Sequence, residues 1–278
     1  MPFLTEPDPK RGVALDVLPG IRRIVARNPG VMTYHGTNTY LIADGDGLTV
    51  LDPGPEDPIH VADILEAAGD VPIRRIVLSH THRDHRGAAP ALQSATKAPT
   101  YAYHRPATPI FTPDHGLDDG DNIAGLTALY TPGHASDHLC FSFTTTTTGQ
   151  PILFSADHVM SWSSSIINPP DGDMRAYYQS LSALLERDDA LYLPGHGPPL
   201  AEPRALVAEM LAHRRRREAA IRAALREAPA TIATLAATLY AKQDPMLKIA
   251  AERNVLAHLI KLAAEGGAIE HGDVWQAV

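Results

Sequence analysis

Hydrophobic positions in the first half of the chain come in short runs, not in long helical stripes. GVALDVL (12–18), IRRIVAR (21–27), TNTYLIA (37–43), LTVLD (48–52) and RRIVLS (74–79) are rich in β-branched residues, and most are flanked by Gly, Pro, Asp or Asn. Each reads as a strand. Apolar residues follow one another too closely for one face to meet water, so these strands are expected to be covered by helices. Helices are predicted over Pro58–Ala68 and about Gly87–Ser94. The second half repeats the grammar, with strands at LTALYT (126–131), DHLCFSF (137–143), PILFSAD (151–157) and ALYLP (190–194). An amphipathic helix over Asp173–Glu186 separates the last two, with Asp173 as its N-cap. Thr144–Thr148, ahead of Gly149-Gln150, reads as a hairpin tip.

Beyond Pro203 the pattern changes. Arg204–Glu227 is rich in Ala, Leu, Arg and Glu, all good helix formers, and Pro229 ends it. Thr231 is placed to cap a second helix, TIATLAATLYA, and a third runs from about Pro245 to Glu265, stopping at Gly266-Gly267. AIEHGDVWQAV then closes the chain as a strand or hairpin. Three helices and a hairpin predict a small winged-helix unit over residues 204–278, after a larger α/β domain over residues 1–203.

The chain has 278 residues, enough for that division, with ordinary hydrophobic (44%) and charged (20%) content. No apolar run nears the roughly 20 residues of a membrane-spanning helix. The start, MPFLTEPDPKRG, lacks a secretory apolar stretch. Cys140 is the sole cysteine, so no internal disulfide can form and the cytoplasm is the expected location. Net charge is −8, with the acidity concentrated before residue 202, which does not suit strong non-specific nucleic-acid binding.

Chemistry enters at His80-Thr81-His82-Arg83-Asp84-His85, where the strand RRIVLS stops. At an extended strand end, His80 and His82 point to the same side and can reach one metal ion. Asp84 and His85 lie where the chain turns into the next helix and can aim at a neighbouring point. Four such groups so close together would repel one another, or waste desolvation energy, unless something cationic joined them. Three more segments place a ligand type just after a β-run: Pro132-Gly133-His134, Ser155-Ala156-Asp157 and Pro194-Gly195-His196. Ligands at neighbouring strand ends converge on one edge of a sheet, and glycines before His134 and His196 allow tight turns there.

This set, in this order, resembles the metallo-β-lactamase-fold hydrolases, whose signature is His-x-His-x-Asp-His followed by a separate His, Asp and His. The resemblance covers about residues 12–200 and implies a four-layer αββα sandwich with its site along one edge. Gly36-Thr37-Asn38-Thr39-Tyr40-Leu41, the run at 132–138 and the C-terminal winged helix are similar to the β-lactamase-like protein 2 branch. Ala156 departs from the glycine usual before the bridging aspartate. Carried over, the resemblance implies that His80, His82 and His134 bind one metal ion and that Asp84, His85 and His196 bind a second. Asp157 and a hydroxide would bridge them, and Asp84 would orient the nucleophile. Asp52, in Leu51-Asp52-Pro53-Gly54, matches an aspartate that supports the site without ligating. Nitrogen and carboxylate donors suit two zinc ions, with manganese or iron as alternatives.

His138 is a candidate for orienting a ligand or donating a proton and His158 for supporting one, with a packed structural role the alternative for each; Trp162 either lines the pocket or packs as an ordinary core aromatic. His35, His104 and His115 fall in loops that could border the cleft, whereas His60, His213, His258 and His271 read as structural. Arg214–Arg217 spans about a full turn, so it forms no single stripe. It is read as a solvated helix, with an RNA or DNA contact surface, or a partner or dimer interface, as alternatives.

The expected activity is hydrolysis of an ester, thioester, lactone or lactam carbonyl in a small molecule. A single-strand endoribonuclease is the alternative, and a non-catalytic metal- or nucleic-acid-binding protein is a third reading. The expected partner is a small-molecule substrate, with RNA and a homodimer open and no membrane.

Overall fold

A computed structural model describes residues 3–145, 149–241 and 244–278. Residues 146–148 of the expected threonine hairpin tip lie outside the described residues. A first sheet runs in spatial order β1 (Leu15–Leu18), β2 (Ile21–Val25), β3 (Asn38–Ala43), β4 (Leu48–Leu51), β5 (Ile73–Val77), β6 (Thr100–Tyr103) and β7 (His115–Leu117). Its early neighbours pair antiparallel and those from β4 onward parallel. A parallel neighbour needs a crossover. The β4–β5 crossover is α1 (Pro58–Ala68), which Asp57 caps by accepting from Ile59 N.

The second sheet is ordered β13 (Leu200–Ala201), β12 (Leu191–Pro194), β11 (Pro151–Ala156), β10 (Leu139–Thr144), β9 (Leu126–Tyr130) and β8 (Asn122–Ile123). Its one parallel pair, β11–β12, is joined through a helix. The helix segments met so far along the chain continue as α2 (Arg83–Arg86), α3 (Ala89–Thr96) and this crossover, α4 (Met174–Leu185). Asp173 caps α4 by accepting from Ala176 N, as expected.

Side-chain alternation builds the layers. Leu41, Val50, Ile76 and Leu78 point outward to a core shared with α1 and α3, while Tyr40, Ile42, Leu51 and Val77 point inward. Across from them, Leu139, Phe141, Ile152, Phe154 and Leu193 complete the central core. Cys140, Leu153 and Tyr192 face out to α4. The result is the αββα sandwich.

The helix expected over about Gly87–Ser94 forms as α3, Ala89–Thr96, and a separate short helix, α2, precedes it. Pro90 has no N–H to bond back to Arg86, and Gly87 is wedged so closely that a Cβ would lie 2.5 Å from Glu56 N. These two residues separate α3 from α2, which starts inside the histidine motif at Arg83. The strands β7, β8 and β13 escaped the hydrophobic pattern because two or three residues carry no readable period, and β6 because its TYAY lacks the Leu, Ile and Val of the other four-residue strands.

The remaining chain holds α5 (Arg204–Glu227), β14 (Ala230–Thr231), α6 (Ile232–Leu239), a 3-10 turn (Pro245–Leu247), α7 (Lys248–Ala264), β15 (Ala268–His271) and β16 (Val274–Ala277). Thr231 caps α6 by accepting from Thr234 N. The hairpin gains β14 as a third strand, in order β14-β16-β15, completing a winged helix. Leu206, Val207, Met210 and Leu211 of α5 join the core beneath α4. Ile221 and Leu225, further along, join the C-terminal core with Val255, Leu259, Leu262 and Trp275. One helix therefore belongs to two cores. No helix among the described residues is long and apolar enough to cross a membrane.

Candidate metal centre

The chemistry-bearing residues follow the ends of five strands: Asp52 after β4, His80 and His82 after β5, His134 after β9, Asp157 after β11 and His196 after β12. Two backbone bonds stitch the sheets together at this edge, Asn38 N to Gly195 O and Leu139 N to Ser79 O, each 2.7 Å. Asp52 and Ala156 end their strands at φ 52° and 42°. That left-handed kink explains why glycine is usual at the Ala156 position, and alanine adopts it at a cost of about 1 kcal/mol.

Three groups of donor atoms converge. His80, His82 and His134 offer ring nitrogens within 4.8 Å of one another, as do the donors of Asp84, His85 and His196, and of His80, His85 and Asp157. His82 Nδ1 lies 2.9 Å from His80 Nε2 and 3.0 Å from His134 Nε2. Asp157 stands between the groups, 3.4 Å from His85 Nε2, 3.5 Å from His196 Nε2 and 3.6 Å from His134 Nε2. Asp84 Oδ2 is 3.2 Å from His196 Nε2.

Each ring's other nitrogen is held by a partner, which fixes the inward-facing lone pair. His85 Nδ1–H donates to Asp52 Oδ2 at 2.9 Å, and His134 Nδ1–H to the Ile166 carbonyl at 2.8 Å. His196 Nδ1–H donates to the Gly36 carbonyl at 3.2 Å. The Ser79 hydroxyl donates to Asp52 Oδ2 at 2.7 Å, so its oxygen accepts from His80 Nδ1 at 3.0 Å. His82 is turned the other way: its Nε2–H donates to Asp171 Oδ2 at 3.2 Å.

Electrostatics divide the site. Burial holds His80 well below the ordinary histidine value and His134 down at about 4, so both are neutral at pH 7. Burial also opposes charge on His85 and His196, but the Asp157 and Asp84 carboxylates outweigh it, lifting His85 well above its usual range and His196 to about 9. In return, and against burial, those two histidines keep Asp84 and Asp157 ionised. The space between these four side chains demands positive charge, which protons or metal ions can supply.

The other expected residues sort as follows. Asp52 is buried and accepts from Ser79 N, Ser79 Oγ and His85 Nδ1. His138 lies behind His80, ring centroids 5.1 Å apart, with Nδ1 at 3.0 Å from Thr131 Oγ1. His158 lies one layer deeper, 4.7 Å from the Tyr177 ring. Both are fully buried, and neither joins a donor group among the described residues. Trp162 stacks on Tyr34 at 5.0 Å and packs against Gly197, the residue after His196. His104 pairs with Asp118, His115 stacks on Tyr101, and His35 bonds to the N-terminal segment at Glu6 and Asp8.

Several contributors went unread in the sequence. Asp171 was not among the expected site residues, yet it orients His82 and also accepts from Ser136 N and Oγ. Asp137 receives the Thr81 hydroxyl and Ala107 N, tying the His80–His82 segment to the next loop. Gly195 matters for close approach rather than for its φ: a Cβ there would lie 2.4 Å from Asp157 Oδ1 and 2.8 Å from His85 Cε1. Gly195→Ala is therefore expected to cost about 1–3 kcal/mol in stability and about tenfold in metal affinity. Equilibrium metal titration checks this, and a parental affinity in the variant would show that the cradle is not tight.

His60, expected to be structural, is fully buried under the Asp52 turn. The Thr39 hydroxyl donates to the Asp52 carbonyl, so Thr39 Oγ1 accepts from His60 Nε2 at 2.9 Å. Burial lowers His60 to about 4. The unfolded chain takes up this proton first, so stability is complete above about pH 6.5 and falls as pH drops toward 4, by about 3 kcal/mol. Urea midpoints of metal-free protein across that window are expected to fall more steeply in the parent than in His60→Gln. Equal slopes would assign the acid sensitivity elsewhere.

The sequence matches the metallo-beta-lactamase superfamily over residues 32–196. The chain belongs to that superfamily. As a member it is an enzyme, a metal-dependent hydrolase in class. Residues 231–275 match the beta-lactamase associated winged helix domain. A beta-lactamase-like protein 2 homolog of Caenorhabditis elegans is 29% identical over 96% of this chain and 90% of its own length. An atrochrysone carboxyl ACP thioesterase of Aspergillus chevalieri is 31% identical over 76% of this chain and 67% of its own. Among solved structures, a beta-lactamase domain protein from Burkholderia ambifaria superposes with TM-score 0.81 at 22% identity, covering 97% of this chain and 95% of its own. At that identity the likeness speaks for the fold of this metallo-beta-lactamase superfamily member, winged helix included.

Proposed function

We propose that this enzyme hydrolyses the carbonyl of an ester, thioester, lactone or lactam in a small molecule, using two divalent ions, zinc foremost. His80, His82 and His134 would hold one ion, Asp84, His85 and His196 the other, and Asp157 would serve both. The observation that carries this reading is a set of buried donor atoms with no hydrogen-bond partner: His85 Nε2, His196 Nε2 and Asp157 Oδ1. Each such atom costs about 1–3 kcal/mol if nothing satisfies it. Three aimed at one space, beside imidazoles already neutral, suit divalent cations with nitrogen and carboxylate preferences.

Divalent ions bound there supply Lewis acidity and lower the pKa of water toward neutrality. The chain's own residues do the rest. Asp84, with its side chain 31% exposed, faces the open side, where it orients the incoming water. Asp52, Ile166, Gly36, Ser79 and Asp171 hold the five imidazoles in place, so little reorganisation accompanies reaction. His138 and His158 are sealed in the core and act by packing, not by proton transfer to substrate. We also propose the boundary between the hydrolase domain and the C-terminal domain at 203/204, with α5 serving both.

The thioesterase named among the relatives favours a carbonyl substrate. RNA cleavage draws no support from the basic run. Arg214 is buried, Arg216 pairs with Glu209 at 2.6 Å, and Arg217 lies over the Tyr240 ring at 4.0 Å and donates to the Leu239 carbonyl. Metal-replete protein assayed on thioester, ester, lactone, lactam and single-stranded RNA is expected to turn over at least one carbonyl substrate and to leave the RNA intact. Cleavage of RNA alone would overturn the substrate reading.

A further inference from the structure

Ser161–Pro170 follows Asp157 without forming a helix or a strand, so its backbone groups must find partners elsewhere. Its middle carries part of the metal centre. The Ile166 carbonyl accepts from His134 Nδ1 at 2.8 Å, and Ser165 Oγ donates to the carbonyls of Asp157 and His158 at 2.6 and 3.0 Å. The other side of the same segment is held from the C-terminal part of the chain. Ile167 N donates to Asn254 Oδ1 of α7 at 3.1 Å. Arg214 of α5 donates to that same Asn254 oxygen at 3.0 Å, to Ser164 Oγ at 2.7 Å and to the Ser165 carbonyl.

Arg214 was expected on a solvated face, yet it is 2% exposed and its guanidinium sits 5.5 Å from the Tyr177 ring centroid. All its hydrogen-bond partners are uncharged oxygens. Burying a cation in this way is costly, and replacing it with an apolar residue would be the cheaper route to a packed core. The fork does something an apolar residue cannot: it fixes three oxygens at once, two of them in the segment that orients His134 and Asp157. Asn254, 8% exposed, supplies one oxygen to both the fork and Ile167.

We propose that Arg214 and Asn254 are positioning residues through which α5 and the winged helix hold His134 and Asp157 in ligand geometry. This rests on the metal reading above. The winged helix then contributes to chemistry by gripping a loop, with no contact to substrate required. Supports bonded directly to a ligand typically change metal affinity about 10–100-fold; Arg214 and Asn254 act one bond further out, through Ser165 and Ile167, so the low end of that range is expected.

The test is cobalt(II) titration of the metal-free full-length chain, reading both dissociation constants and the d–d absorption bands. Asn254→Leu removes the shared oxygen and is expected to weaken one of the two cobalt sites about tenfold or more and to alter its bands. Asn254→Asp keeps an acceptor for Ile167 N and for the fork, and is expected to stay close to the parent. Arg214→Lys keeps the charge without the fork and is expected to behave like Asn254→Leu. A folded Asn254→Leu with parental constants and bands would overturn the proposal. If that variant does not fold, parental behaviour of Arg214→Lys would do so instead. Loss in Asn254→Asp equal to that in Asn254→Leu would also overturn it. A parent chain that takes up no cobalt would overturn the metal reading and this proposal together, whereas parental cobalt binding in the variants removes this proposal alone.

Discussion

Asp84→Ala is expected to lose turnover by at least about 10²-fold, the scale of a misplaced reactant, compounded by the loss of a proposed metal ligand. The carboxylate lies 3.2 Å from His196 Nε2 and 3.6 Å from His85 Nε2, and it is one of the few site groups with an exposed face. It can therefore serve an ion and a water at once. Its partial exposure also means that its removal leaves no sealed cavity, so the variant is expected to fold. Steady-state rates on the best carbonyl substrate, with circular dichroism as the folding control, decide the matter. Near-normal hydrolysis in a folded Asp84→Ala would remove Asp84 from the mechanism.

The second large effect is expected on stability. Asp52→Ala strips the acceptors from Ser79 N, Ser79 Oγ and His85 Nδ1, all buried. Removing one partner from a buried, hydrogen-bonded charge costs about 3–5 kcal/mol, a large part of the ~5–15 kcal/mol that holds an ordinary domain together. The Asp52 kink also sets the Pro53-Gly54 turn, whose Gly54 N donates to the His85 carbonyl at 3.0 Å. Damage should therefore spread to His85, a proposed metal ligand. Urea unfolding of metal-free protein is expected to show the full loss in Asp52→Ala and a smaller one in Asp52→Asn, which keeps one acceptor oxygen. A change below about 1 kcal/mol in Asp52→Ala would mean that the network is not needed for folding.

What could be read from the sequence, and what could not, follows from how local the cause is. The residues that converge at the candidate site were legible because most sit in short strings at strand ends, where residue identity and backbone turn occur together. The strands of both sheets were legible where the apolar runs were long enough, and so was the covering of both faces. Asp171 and the Ile166 carbonyl escaped because their partners, His82 and His134, are remote in sequence. His60 is structural, as expected, but its partners, Thr39 and the Asp52 turn, are brought to it only by folding. Arg214 shows the opposite failure. Its neighbours in sequence suggested a solvated run, while the packing of α5 against α4 and α7 buries it. Two-residue strands such as β8 and β13 exist only because a neighbouring strand offers an edge, so no local pattern encodes them.

The central claim is that two ions occupy the edge where His80, His82, Asp84, His85, His134, Asp157 and His196 meet. Metal content of the dialysed chain, measured by atomic emission against protein concentration, tests it most directly. Two equivalents of divalent metal per chain are expected. A chain that retains one equivalent or none, while still hydrolysing its substrate at full rate, would contradict the account.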